Sequence, residues 1–236
     1  MAQIGMFDSG NGGWTTLEAV RRRLPEVEIE YVADLKNCPY GEKSAAELLE
    51  ITSRVTQGLI ARGAKIVVIA CNTATTRCIR ALREKFPDAV FIGTEPALRL
   101  AKRTGAQRIV LLATPSTVAS EQVARLIRQN RLEEQVKLIP CAGLAEAVEA
   151  GIEVQRGEAR LVRTEKAERC LMKILAKMPE SERETMEVVV LGCTHYVWIA
   201  EQIQKWFPKA RMLDGNEGVA RRVESVWEKV KNGGKG

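Results

Sequence analysis

Short apolar runs alternate along the chain with stretches whose apolar positions recur every three to four residues. Ile4–Phe7 predicts a strand, followed by a glycine-rich turn and a helix from about Thr15 to Leu24. Ile29–Val32 predicts a second strand. Ser44–Arg62 has helical spacing, with Ser44 as N-cap, Glu47 three residues on as in a capping box, and Gly63 as the stop. Lys65–Ala70 predicts a third strand, followed by a helix through about Lys85, and Val90–Gly93 a fourth strand. The pattern then restarts. Arg108–Ala113 predicts a strand, Ser116–Gln129 a helix and Val136–Pro140 a strand. Leu144–Ala150 follows as a short helix and Glu158–Met178 as a long one. Val188–Leu191 is a strand, Trp198–Trp206 a helix, Arg211–Leu213 a last strand and Glu217–Lys231 a terminal helix. The tail from Gly233 is expected to fray.

This βα alternation predicts an α/β fold with mostly parallel sheets flanked by helices. Val67-Val68-Ile69-Ala70-Cys71-Asn72-Thr73 and Val189-Val190-Leu191-Gly192-Cys193-Thr194-His195 resemble each other. Each is a buried-type strand, a small residue, a cysteine and then a polar residue opening a helix. They occupy corresponding places in the two βα series and suggest two similar α/β domains.

Composition changes this picture little. Of 236 residues, 45% are hydrophobic and 28% charged, a globular mixture that excludes a disordered or collagen-like chain. No apolar run approaches the roughly 18 residues that a membrane span needs. The N-terminus shows no basic region followed by a long apolar stretch. No signal peptide and no membrane partner are expected, and a cytoplasmic location is. The formal charge of +6 is spread out, with Arg21-Arg22-Arg23 and Arg221-Arg222 the basic runs, and aromatics are only 5%. A stacking platform for nucleic acid is not indicated, and no nucleic-acid partner is expected.

The candidate chemistry lies in cysteines. The six are Cys38, Cys71, Cys78, Cys141, Cys170 and Cys193, with no C-x-x-C pair and no zinc-like cluster. In an open parallel sheet, ligands bind beyond the carboxyl ends of the strands. Cys71 and Cys193 both fall there, each at a helix start where the dipole and free N–H groups favour a thiolate. Two such thiols could take a proton from one face of a carbon and return one to the other. The other four are expected to be inert. His195, the single histidine, follows Cys193 by two residues and could orient it or assist its proton transfer. A Cys-x-His zinc site is the alternative, though no further ligands are grouped nearby. Asp8-Ser9-Gly10-Asn11-Gly12-Gly13 forms a glycine-rich βα turn that is neither a dinucleotide fingerprint nor a P-loop. Its carboxylate suits an ammonium group or a proton relay rather than a phosphate. Pro39-Tyr40-Gly41 also follows a strand.

Four segments together resemble a known family. Phe7-Asp8-Ser9-Gly10-x-Gly12-Gly13, Pro39-Tyr40-Gly41, Ala70-Cys71-Asn72-Thr73-Ala74 and Leu191-Gly192-Cys193-Thr194-His195-Tyr196 are similar, in order, to the signatures of the cofactor-independent glutamate racemases. These belong to the aspartate/glutamate racemase superfamily. The resemblance implies two pseudo-twofold-related α/β domains with the active site in the cleft between them. It places residues 1–94 with 212–236 in the first and 95–211 in the second. It implies interconversion of L- and D-glutamate without any cofactor or metal, for peptidoglycan synthesis, in a likewise cytoplasmic homodimer. Cys71 would take the α-proton of D-glutamate and Cys193 that of L-glutamate. Asp8, His195 and Glu149 would assist, with Glu146, one helical turn earlier, as the alternative acid. Ser9, Pro39, Tyr40, Gly41, Asn72, Thr73, Thr114, Thr117 and Thr194 would hold the substrate. Thr114 has a second reading as a helix cap. The chain departs from the family pattern at Val32-Ala33-Asp34-Leu35-Lys36-Asn37-Cys38, Thr75-Thr76-Arg77 and Gly93-Thr94-Glu95-Pro96, and it is shorter than most members. An aspartate or broad-specificity racemase, or a silent amino acid binder, are the competing functions.

Overall fold

The computed structural model describes residues 3–232. The tail from Gly233, expected to fray, lies outside them. The chain divides into two compact units, Met1–Glu95 with Gly215–Gly236, and Pro96–Asp214.

The first unit begins with β1 (Ile4–Asp8), α1 (Trp14–Arg23), β2 (Ile29–Ala33) and α2 (Ala45–Ala61). It continues with β3 (Ile66–Ile69), α3 (Asn72–Lys85) and β4 (Val90–Gly93). Its sheet has the order β2-β1-β3-β4, with every pair parallel. β1 and β3 are buried along their whole length, as expected of strands covered on both faces. Ser44 caps α2 by accepting from the Glu47 amide at 3.2 Å, as its sequence predicts. The Glu47 carboxylate meets Lys43 Nζ at 3.4 Å.

The second unit holds α4 (Leu98–Arg103), β5 (Ile109–Ala113), α5 (Pro115–Val118), α6 (Glu121–Asn130), β6 (Val136–Pro140) and α7 (Leu144–Glu149). A hairpin of β7 (Ile152–Gln155) and β8 (Glu158–Leu161) follows, then α8 (Glu165–Leu175) and α9 (Glu180–Arg183). β9 (Val188–Leu191), α10 (Thr194–Trp198), α11 (Ala200–Trp206) and β10 (Arg211–Leu213) complete it. The main sheet runs β10-β9-β5-β6, again all parallel. Read from the other edge, β6-β5-β9-β10 corresponds strand by strand to β2-β1-β3-β4. The short likeness around the two cysteines therefore extends to the topology of both halves.

Four expectations change. The last strand does not return to the first domain with the last helix. β10 pairs with β9, register Met212↔Val189, and only α12 (Asn216–Lys231) joins the first unit. There α12 packs on α1, with Thr16 Oγ1 donating to Asn216 Oδ1 at 2.7 Å. The strand's main-chain bonds and the helix's side-chain contacts thus lead to different units. Residues 158–161, expected as helix, form β8. Arg156 (φ 52) and Gly157 (φ 77) make a two-residue turn with both residues left-handed, which folds Glu158–Leu161 back on Ile152–Gln155. The helix expected over 116–129 breaks in two, because Ser120 accepts from the Val123 amide and starts α6 afresh. The stretch before Trp198 is already helical, as α10, and Ile199 separates it from α11.

Candidate active site

In the first unit, β1 and β3 are neighbours, so the residues just beyond their carboxyl ends lie side by side. Asp8 ends β1 and is fully buried. Its Oδ2 accepts from the amides of Gly10 at 3.3 Å and Gly13 at 3.0 Å. The glycine-rich turn thus holds the carboxylate with main-chain N–H groups, which supply the solvation that burial removes. Gly13 has to be glycine, since a Cβ there would lie 2.7 Å from both Asp8 Cβ and Tyr31 Oη. Tyr31 Oη donates to the Gly10 carbonyl at 2.9 Å and braces the turn. Cys71 is the N-cap of α3 and buried, and its Sγ donates to Ser9 Oγ at 3.8 Å. Asn72 and Thr73 open α3 and are buried beside it. Asn72 Oδ1 is buried with no hydrogen-bond partner among the described residues, an acceptor that awaits a donor.

Pro39 precedes a single 3-10 turn, Tyr40–Glu42, which contains Gly41. Tyr40 is buried, and its hydroxyl donates to Asp34 Oδ2 at 2.7 Å. Asn37 Nδ2 donates to both Asp34 carboxylate oxygens, at 2.8 and 2.9 Å. Burial first, and then the Asp34 bond, push the Tyr40 phenol far up, so it stays protonated. Its O–H is committed to the bond with Asp34, and only its lone pairs are left to meet another donor. Sequence reasoning gave Asp34 no role of its own, since it stands there only within a stretch that departs from the family pattern.

In the second unit, β9 and β5 are neighbours, which sets Cys193 close to Thr114. Cys193 is the buried N-cap of α10. Its Sγ lies 3.8 Å from His195 Nδ1, and His195 Nε2 lies 2.7 Å from Glu149 Oε2 at the end of α7. With Glu149 ionised, Nε2 carries the ring proton and Nδ1 turns a lone pair toward the sulfur. The thiol, the imidazole and the carboxylate form a line through which a proton can leave Cys193. His195 is 1% exposed and the Glu149 side chain 15%, so the line is largely shielded from water. Glu146 instead bears on Cys170 and Tyr196. Thr194 opens α10 and is buried. Thr114 is the N-cap of α5, accepting from the Thr117 amide at 3.2 Å and donating to Thr117 Oγ1 at 3.0 Å. Both hydroxyls hold that helix start together, and Thr117 is fully buried.

Gly192, just before the thiol, is a packing requirement. A Cβ there would come within 2.7 Å of Leu111 Cδ1 and 2.9 Å of both Ala113 Cβ and the Leu112 carbonyl. Tyr196 is fully buried, and its hydroxyl donates to the Cys141 carbonyl at 3.2 Å, tying α10 to the connection between β6 and α7. Three other thiols are held in the protonated form. Burial, and secondarily the nearby Cys193, push Cys141 up to about 12. Burial also pushes up Cys78 and Cys170. Among the described residues, no group of three His, Cys, Asp or Glu side chains is arranged to hold a metal.

The profile of the Asp/Glu/Hydantoin racemase family matches residues 15–223. The chain belongs to this family. Glutamate racemase from Leptospira interrogans serogroup Icterohaemorrhagiae serovar copenhageni is 39% identical over 222 residues, covering 94% of this chain and 81% of that protein. Glutamate racemase from Pseudomonas aeruginosa is 37% identical over 227 residues, with 95% and 81% covered. Among solved structures, the chain superposes on Escherichia coli glutamate racemase, in complex with L-glutamate and the activator UDP-MurNAc-ala. The TM-score is 0.81 and the identity 32%, with 97% of this chain and 83% of that one covered. A Klebsiella pneumoniae allantoin racemase, 18% identical with a TM-score of 0.55, shares the fold. Two helix-flanked parallel-sheet domains are therefore the architecture of the family and of this member.

Proposed function

We propose that this protein is a glutamate racemase that moves the α-proton between two cysteines. The observation that carries the reading is the Cys193–His195–Glu149 line, 3.8 and 2.7 Å long, with Cys71 at the corresponding strand end of the other sheet. From L-glutamate, the Cys193 thiolate removes the α-proton and the Cys71 thiol delivers one to the opposite face, leaving D-glutamate. The reverse reaction exchanges the two roles. His195 Nδ1 receives the Cys193 proton when the thiolate is generated, and the Glu149 carboxylate stabilises the imidazolium so formed.

An amino acid α-carbon is a very weak acid, so developing charge must be met by fixed dipoles. The amides that open α3 and α10 supply donors of this kind. Ser9 lies against Cys71. Asp8, held in its amide cradle, supports the same thiol. Asn72 Oδ1, buried without a partner, suits the substrate ammonium. Thr73 and Thr194 at the helix starts, with the main-chain amides of Tyr40 and Gly41 after Pro39, suit the carboxylates, and Thr114 and Thr117 shape the second half. The reaction draws only on this chain's own groups. On the family resemblance we read it as a cytoplasmic homodimer that supplies D-glutamate for peptidoglycan. Among the described residues no helix is long and apolar enough to cross a membrane.

The test is exchange at Cα in heavy water, started from each enantiomer of glutamate and from L-aspartate, beside Cys71→Ala and Cys193→Ala. Glutamate should racemise with deuterium incorporated, and each variant should lose racemisation while staying folded. Full racemisation in either variant would refute the two-thiol mechanism. Faster turnover of aspartate would move the assignment to that substrate, and no exchange at all would leave a binder.

A further inference from the structure

We infer that Arg77 is a positioning residue that holds the substrate-binding turn against the helix bearing Cys71. The inference rests on the function proposed above and extends it to a residue outside the motifs.

The turn at 39–43 has little structure of its own, only the single 3-10 turn Tyr40–Glu42, closed by Lys43 N–H to the Tyr40 carbonyl at 3.3 Å. Its front is anchored through the buried Tyr40, whose hydroxyl reaches Asp34 at 2.7 Å. Asp34 is in turn joined to β1, its amide donating to the Asp8 carbonyl at 3.0 Å. The back of the turn is anchored from α3. Arg77, half-buried in the second turn of that helix, donates from Nη1 to the Lys43 carbonyl at 2.9 Å. The same carbonyl group belongs to the residue that closes the 3-10 turn. α3 begins at Cys71 and Asn72. One rigid helix therefore carries a proposed base at its start and, six residues on, the guanidinium that sets the distance of the turn from it. A charged donor on a main-chain carbonyl is among the stronger hydrogen bonds available to such a loop. The neighbouring Thr75 fastens the other side of α3, donating to the Ile69 carbonyl at 3.2 Å and accepting from the Thr94 amide at 3.1 Å. The helix is thus held to the sheet independently of Arg77. Loss of Arg77 should release the turn and leave the helix in place.

The experiment compares Arg77→Ala and Arg77→Lys with the unmodified chain by hydrogen exchange and racemisation kinetics. In Arg77→Ala, amides at 40–43 should exchange at least ~5-fold faster while those of β3 and α3 stay protected. KM for glutamate should rise ~5-fold or more with kcat within about twofold, the signature of lost binding rather than lost chemistry. Arg77→Lys, which keeps a donor of similar reach, should recover most of both effects. Unchanged exchange at 40–43, or an unchanged KM, overturns the inference. So does a fall in kcat alone, or exchange raised across the whole unit in both variants. Should the unmodified chain fail to racemise glutamate, the proposed function falls on that result, while the exchange arm still reports whether Arg77 holds the turn.

Discussion

Replacing Glu149 by Gln keeps the side chain's size and removes its charge. The contact at stake is the 2.7 Å bond from His195 Nε2 to Glu149 Oε2, with the imidazole buried and the carboxylate 15% exposed. A hydrogen bond to a charged group is worth about 1.5–3 kcal/mol and a neutral one about 0.5–1.5 kcal/mol. The charge on Glu149 therefore accounts for about 1–2 kcal/mol, felt when His195 takes the Cys193 proton and becomes cationic. At about 1.4 kcal/mol per tenfold, kcat should fall about 5- to 30-fold. The loss grows if the new amide donates to Nε2. That would move the ring proton to Nδ1, where the imidazole can no longer accept from the thiol. The assay is the decay of the circular dichroism signal of each glutamate enantiomer. Because the two enantiomers have equal free energy, kcat/KM must fall by the same factor in both directions, which checks the measurement internally. Glu146→Gln is the matched control, one helical turn away, and should stay within about twofold. A folded Glu149→Gln enzyme with full activity, or an equal loss in Glu146→Gln, would refute the assignment of the relay.

Gly192→Ala should lower stability by about 1–3 kcal/mol, the usual cost of overpacking. Its Cβ would sit 2.7 Å from Leu111 Cδ1, and a melting temperature equal to that of the unmodified protein would contradict this. Cys141, pushed up to about 12 by burial, should resist iodoacetamide at pH 8 in the native protein and react once it is unfolded. Its folded value lies above the ordinary thiol value of 9.0, so the stability it contributes is full below about 9. That contribution is lost as pH rises from about 9 to 12, and urea midpoints compared with Cys141→Ala across this range would reveal it. Rapid native labelling of Cys141 at pH 8 would disprove its burial.

The strands could be read from the chain because each depends on a run of a few residues. Runs of Val, Ile and Leu, such as Ile66–Ile69 and Val188–Leu191, have no polar position to place in water and form buried central strands. The start of α2 was equally legible, since Ser44 caps an amide only three residues away. The hairpin was less so. Its signal, the two alternating pairs about Arg156-Gly157, lies within a stretch whose composition also suits a helix. Asp34 and Arg77 stood out only as departures from the family pattern, because their partners, Tyr40 and the Lys43 carbonyl, give meaning to them only once the chain has folded.

By itself the sequence determined that Cys71 and Cys193 stand at strand ends and helix starts, since a strand, a small residue and a cap specify that position locally. It also set the single histidine two residues from one thiol. Tertiary structure decided the rest. Glu146 and Glu149 are one turn apart on α7, and no local pattern separates them. The packing of α7 against α10 puts Glu149, rather than Glu146, at His195. Likewise β10 and α12 are adjacent in the chain but part at residues 214–215. The strand follows main-chain hydrogen bonds to β9 and the helix follows its apolar face to α1, and competition between such distant contacts is settled only by the assembled fold.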